Sequence, residues 1–293
     1  MAVGAVSQIG LGAAAADPTS TPSSAVCPGA TATSPGTQLQ GSYRSLTVQG
    51  NAYVAANTTL NVRHNLTLAP GSCLDAFSLG TVTVGHNIFV RRGATLGLGC
   101  APNVNFSASP GQQTPPTTGI PPCGTTSTIN TDWVGHNIIA HQPQTMYLTA
   151  VTVGHNVISL GGGFKTLSFP VKDMMIHGNL ILAGWQGGPG AWIGAISNHV
   201  DGNVVIAGNA GARPGDEIAN DSTEVDGNTV GRNLICVRNT PPAQYGDAKA
   251  DGPPGWNVNT VGGHAIGECA DLVAPSQTST HHDHGHRHWH THQ

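Results

Sequence analysis

The stretch "VTVGHNIFV" fills residues 82–90, and "VTVGHNVIS" fills residues 151–159. Each alternates apolar and polar residues, breaks at Gly-His-Asn, and then resumes the alternation. A period of two marks a strand with one buried face, so the break reads as a corner between two short strands. Aligned on its asparagine, the phrase recurs along the chain. It opens with Leu46 to Asn51 and continues through Leu60 to Leu68, Trp133 to Ile138, Met175 to Leu182 and His199 to Ile206. It closes with Val225 to Asn228 and Val230 to Leu234. The corner asparagines are Asn51, Asn65, Asn87, Asn137, Asn156, Asn179, Asn203 and Asn233, with Asn228 as a competing register for the last.

Several of these asparagines follow one another at about 19–25 residues, and the gap from Asn87 to Asn137 fits two such steps with a loop. Two short strands per unit cannot bury a face alone, whereas stacked units build a continuous core. No stretch of useful length has a 3.6-residue period, and β-branched residues dominate. The expected fold is all-β: a single-stranded parallel β-helix, right-handed, with about 20–25 residues per coil and disordered termini. A corner between strands often needs a residue at positive φ, which glycine and asparagine adopt at least cost. Asparagine repeated at one corner can also hydrogen-bond to its copies above and below.

Residues 1–16 read as an apolar, signal-like leader ending in an alanine run, 17–40 as a Pro/Ser/Thr linker, 41–274 as the β-helix and 275–293 as a His-rich tail. Breaks in the pattern at 102–123, 184–190 and 240–255 read as loops. The 11 Lys and Arg residues are scattered, so the chain has no basic stripe for nucleic acid. It also has no apolar run long enough to span a membrane as a helix.

Six cysteines, none in a C-x-x-C, fit a disulfide framework in an exported protein. Fifteen pairings are open. Separations of one to one-and-a-half coils favour Cys73–Cys100 and Cys236–Cys269, leaving Cys27–Cys123. The alternative is buried free thiols.

"NTVGRNLIC" (Asn228 to Cys236) and "NTVGGHAIGEC" (Asn259 to Cys269) resemble the C-terminal part of secreted actinobacterial proteins built on Gly-Asn-Val β-helix repeats. Arg232 and His264 depart from that pattern. The resemblance covers about 45 residues closely; it implies a β-helix, export and a Cys236–Cys269 bridge, but no activity. The upstream repeats are more loosely similar to bactofilins, β-helical polymer formers that are cytosolic and lack these cysteines.

Three groups of residues could carry chemistry. One position before the asparagine, stacked coils align His64 with His86 and His136 with His155. Such imidazoles can bind transition metals, or simply fill a corner. Two positions before it lie His177, Asp201 and Asp226, which in register would form one strip suited to acid–base work or Ca²⁺, or merely polar punctuation at turns. The third group is the tail "HHDHGHRHWHTHQ", with His281, His282, His284, His286, His288, His290 and His292. No cofactor is required by the sequence, but this tail suits Zn²⁺, Ni²⁺ or Cu²⁺, and its alternative is a pH-responsive tail without a metal.

Asn130-Thr131-Asp132 resembles the first motif of polygalacturonases, but the other motifs of that family are absent. Hydrolysis there needs two carboxylates at a set separation. The leading expectation is therefore a secreted or cell-surface structural β-helix without catalysis. Its partners would be further copies stacked end to end, or a cell-wall or matrix glycan. The alternatives are a metal-scavenging protein and a polysaccharide lyase or hydrolase.

Overall fold

A computed structural model describes residues 26–27, 36–77, 80–100, 132–163, 171–187, 193–211, 223–245 and 258–273. The chain is a three-sided parallel β-helix. One coil runs through strands Cys73–Ala76, Thr81–Val84 and Ile88–Val90. The next runs through Thr95–Gly99, Trp133–Val134 and Ile138–His141. Repetition builds a first sheet of 8 strands and a second and third of 9 each, and every named pairing is parallel to the coil before or after.

Alternation decides what is buried. In the third sheet Leu66, Ile88, Ile138, Val157, Leu180, Val204 and Leu234 stack in one inward file, all 0% exposed. Each contributes about 1.5–3 kcal/mol before ordering costs. Trp185 is also fully buried, and its Nε1–H donates to the Ser159 Oγ at 3.1 Å. Residues 184–190 were expected as a loop, yet this segment supplies a core side chain.

The Gly-His-Asn corner joins the second sheet to the third, and its glycine has another cause than expected. Positive φ falls at the other two corners, for example at Ala150, Asp173, Ser197 and Gly227, and at Gly161, Gly184, Gly208 and Arg238. At the Gly-His-Asn corner the coils simply approach too closely for a side chain. A Cβ on Gly135 or Gly154 would lie 2.1 Å from the carbonyl oxygen of Gly85 or Gly135 in the coil before.

Asn65, Asn87, Asn137, Asn156, Asn179, Asn203 and Asn233 form an unbroken file at this corner. From Asn65 to Asn203 each Oδ1 accepts both the backbone N–H and the Nδ2–H of the asparagine one coil on, and the Asn233 Oδ1 accepts the His264 N–H. Asn156 reaches Asn137 at 3.1 and 2.9 Å, and Asn137 reaches Asn87 at 3.2 and 2.9 Å across fifty residues of sequence. Asn51 stands outside the file. Leu46 pairs with Leu66, so the corner position of that coil is Ser45, and Asn51 instead opens the strand Asn51–Tyr53 of the first sheet.

Two further files occupy the other corners. Asn198, Asn228 and Asn259 link the first sheet to the second; Asn209 and Asn239, continued by Glu268, link the third to the first. Their donors point to the following coil, opposite to the long file. All five asparagines are buried, and each Nδ2 also donates to a main-chain carbonyl, such as Val171, Ala195 or Leu182. The competing register is thereby resolved: Asn233 holds the long file and Asn228 belongs to another corner.

Cys236 bonds Cys269 across the last coils, and Cys27 bonds Cys73. The expected Cys73–Cys100 and Cys27–Cys123 pairings are therefore corrected. Cys73 is in register with Thr95, which puts Cys100 five residues further along the strand direction, about 16 Å away and beyond bridging distance. Cys100 is itself disulfide-bonded, to a partner outside the described residues. The Cys27 bridge brings Val26 and Cys27 against Phe77 and Tyr147 on the outer side of the first sheet.

Replacing Asn137 by Ala strips the acceptor from two donors of Asn156. Urea titration should show a loss of about 1–3 kcal/mol. A loss near zero would mean that the backbone ladder alone sets the register. Gly154→Ala should cost a comparable amount, about 1–3 kcal/mol, through forced separation of two coils.

Candidate functional site

Stacking places the histidines that precede the corner asparagines on the outside. His64, His86, His136 and His155 are exposed, with ring centroids 5.0, 4.9 and 5.1 Å apart in succession. The rings make a line in which each meets the next face to face or tilted. A metal site needs ligands that converge on one point. Among the described residues no group of three or more His, Cys, Asp or Glu side chains is arranged to hold a metal ion.

One coil further the glycine moves. His177 and then Asp201 take the earlier corner position, while Gly178 and Gly202 take the later one, where a Cβ would lie 2.5 Å from the carbonyl oxygen of the coil before. This exchange makes the clearest polar constellation on the surface. Ile176 pairs with Val200, so His177 and Asp201 are neighbours one coil apart, and the His177 Nδ1 lies 2.8 Å from the Asp201 Oδ2. His199 precedes Asp201 by two residues, on the same outward side of the strand, and its Nε2 lies 3.2 Å from the Oδ1. The hydrogen bond from His177 holds the Asp201 carboxyl below its ordinary range; the slight burial of the group opposes this, and the charges of His177 and His199 reinforce it.

Asp226 does not join this strip. It ends the strand Thr223–Asp226 on the first sheet, in register with Ile196, and is only 5% exposed. The position equivalent to Asp201 in its coil is Gly231. Register counted from Asn228 is register at the wrong corner, and that is how Asp226 was drawn into the strip.

Asp226 belongs to a set that the sequence pattern does not reveal. Lys172 lies two strands away in the same file and is 3% exposed; Glu224, in the same strand as Asp226, is 5% exposed. Burial pushes the Lys172 ammonium down, against the pull of Asp173, Asp226 and Glu224. Burial likewise pushes the Asp173 carboxyl up, beyond what Lys172 offsets, and raises the Tyr245 hydroxyl, with Asp226 and Asp271 adding to it. Lys172, Glu224 and Asp226 point away from the core, on a sheet whose strands from Cys73 to Asp226 are buried on both sides. An alternating pattern cannot show this, because it reports one buried side only. With so little surface exposed, Lys172, Glu224 and Asp226 have no room to meet a polymer substrate.

The exposed strip therefore holds one carboxylate between two imidazoles. It can bind or exchange a proton, but it lacks the second carboxylate of a glycosidase. Asp132, the residue of the Asn-Thr-Asp motif, is 1% exposed, and its Oδ1 accepts the Val82 N–H at 2.7 Å. It acts as a corner brace. The tail histidines, His281 to His292, lie outside the described residues. Compared with family models, curated proteins and solved structures, the chain matches none.

Because the Asp201 pKa falls on folding, its stabilisation is present above the ordinary carboxyl value and fades as the pH drops through the lowered folded value. His177 and Asp201 are 50% and 47% exposed, which limits the effect to under about 1 kcal/mol. Wild type and Asp201→Asn should differ in urea midpoint at neutral pH and converge in acid. A constant difference across the range would remove this role.

Proposed function

We propose that this protein is an exported, non-catalytic structural β-helix whose copies stack end to end. One observation carries the reading. At one end the strand Leu46–Val48 pairs only with the coil after it, and at the other Ala265–Gly267 pairs only with the coil before, among the described residues, while beside Thr260–Val261 the residue Asn259 is bridged by Val273. Open strand edges are templates for pairing. Among the described residues the last coil presents strands on the second and third sides, and the first coil presents strands on all three, so two sides can continue from copy to copy. Such a head-to-tail contact does not close on itself, so it propagates.

Export is supported by the two disulfides, which persist in oxidising compartments, and by the leader-like residues 1–16. The non-catalytic reading is supported by the burial of Lys172, Glu224, Asp226 and Asp132. Within this reading the histidine tail adds a ligand set for Zn²⁺, Ni²⁺ or Cu²⁺ to the scaffold, and a cell-wall or matrix glycan is a partner suited to its long flat sides.

Negative-stain microscopy of the purified chain should show filaments of constant width whose length grows with concentration. Short rods of one copy at every concentration would contradict the assembly. Calorimetry with Ni²⁺ or Zn²⁺ should show binding to the full chain that is lost in a version ending at Ser276; equal binding by both would take the tail out of the account.

A further inference from the structure

The charges of this chain are divided along its axis. Between residues 18 and 172 the only acidic residues are Asp75 and Asp132, and both are buried. Arg44, Arg63, Arg91 and Arg92 lie in the same stretch and are all exposed. Apart from Asp17, every other acidic residue follows residue 172. The exposed ionisable groups described from residue 36 to 163 are thus basic, or tyrosine. A surface charged with one sign favours a partner of the other.

Half of these arginines open the corner between the second and third sheets. The His64 N–H donates to the Arg44 carbonyl one coil back, and Arg63 directly precedes His64. The exposed line His64, His86, His136 and His155 continues from them, one ring per coil. Four steps of strand spacing carry it about 19 Å from Arg44 to His155. Beside His136 stands Trp133, 41% exposed. Its six-membered ring leans over Gly135, where a Cβ would lie 2.8 Å from the indole Cη2. Thr83 and Thr152 are its register neighbours. On the third-sheet side Thr67 is followed by an apolar outer ribbon of Phe89, Ile139, Ile158 and Ile181. Arg91 leans over this ribbon, its guanidinium 5.4 Å from the Phe89 ring centroid.

We infer that this corner binds an acidic glycan, a polyuronate chain laid along the solenoid axis. The inference rests on the glycan reading above and names the class of glycan and its place. Carboxylates of the chain face Arg44, Arg63 and the imidazoles. A sugar ring presents an apolar C–H face, which stacks on the Trp133 indole, and hydroxyls, which pair with Thr83 and Thr152. Groups set in a line cannot surround a metal ion, but they match a polymer whose charges repeat along a line. A bare polyphosphate has the charge without a face to cover Trp133. A neutral glycan has the face without a partner for the arginines.

Binding of this kind depends on pH. Carboxyl groups ionise near about 4, whereas an imidazole gains charge as the pH falls through about 6.5. Affinity for a polyuronate therefore rises on mild acidification, and added salt weakens it. The charged groups around the line are Arg44 and Arg63 at one end and Arg91 over the ribbon. At the other end are His177, Asp201 and His199. Asp201 is the nearest exposed carboxylate along the corner, two coils past His155, and it is already held by His177 and His199.

Calorimetric titration of the full chain tests it, with polygalacturonate oligomers, neutral xylan oligomers and polyphosphate as probes. Wild type should bind the polyuronate at least about tenfold more tightly at pH ~5.5 than at pH ~7.5, and more tightly than either other probe. The triple variant Arg63→Gln/His86→Gln/His136→Gln should lose about tenfold at the lower pH and flatten the pH dependence. Trp133→Ala should weaken binding while keeping the pH dependence. The tail is unchanged in these variants, so its histidines cannot account for the losses. Circular dichroism and melting of each variant confirm the fold. Binding of the neutral glycan alone would overturn the acidic assignment and leave the glycan reading standing, whereas no binding of either glycan would overturn both. Polyphosphate bound as tightly as the polyuronate, or variants that bind like wild type, would also overturn the site.

Discussion

The structure rests on one hydrogen-bonding relation, in which a corner asparagine accepts from the asparagine one coil on and donates to the one before. A parallel stack of short strands has little else to hold its register, and a slip of one residue would turn every inward side chain outward. The amide side chain resists that slip because it is acceptor and donor at once, so each asparagine can accept from one neighbouring coil and donate to the other at the same height. The neighbouring glycine permits the close approach. Asn137 meets Asn87 across a long intervening segment as well as Asn156 meets Asn137 across a short one. The file thus keeps successive coils in register whatever the number of residues between their asparagines.

With register fixed, each side of the prism has a separate fate. From Cys73 to Asp226 the first sheet is buried on both sides; it bears the Cys27–Cys73 bridge and hides Lys172, Glu224 and Asp226. The second sheet faces outward with threonine and histidine, and its far corner carries the exposed histidine line and the His177–Asp201 pair. The third faces outward with isoleucine. Long flat sides that differ in chemistry suit a scaffold, whereas catalysis needs groups converging in a recess from which water can be excluded. The same regularity that stabilises the coils spreads the ionisable groups into lines.

Much of this was legible in the residues because the informative signals are local. Alternation and the recurring Gly-His-Asn phrase lead directly to stacked strands, to the inward file and to seven of the corner asparagines. Asn51 was misassigned because the first coil carries Ser45 at the corner, leaving the nearest asparagine to attract the alignment. Asn198, Asn209, Asn239 and Asn259 were missed as corner residues, and Asn228 was set at the wrong corner, because the alignment followed the Gly-His-Asn phrase of a different corner; they are recognised by burial and by their bonds to one another. The Cys73 pairing failed for a related reason. Two residues one coil apart in number meet only if they occupy the same place in the coil. The apolar outer ribbon was hidden by its own regularity, since Ile139, Ile158 and Ile181 lie beside inward residues of the same kind and blur the alternation.

Register is most directly tested by cross-linking neighbouring coils. In His136→Cys/His155→Cys the new thiols sit at equivalent positions one coil apart, within the Cα separation a disulfide requires. In His86→Cys/His155→Cys they sit two coils apart, about 10 Å, which a disulfide cannot span. Peptide mapping by mass spectrometry after mild oxidation should find the first pair bridged and the second pair open. Bridging in both, or in neither, would contradict a single asparagine file holding each coil directly upon the last.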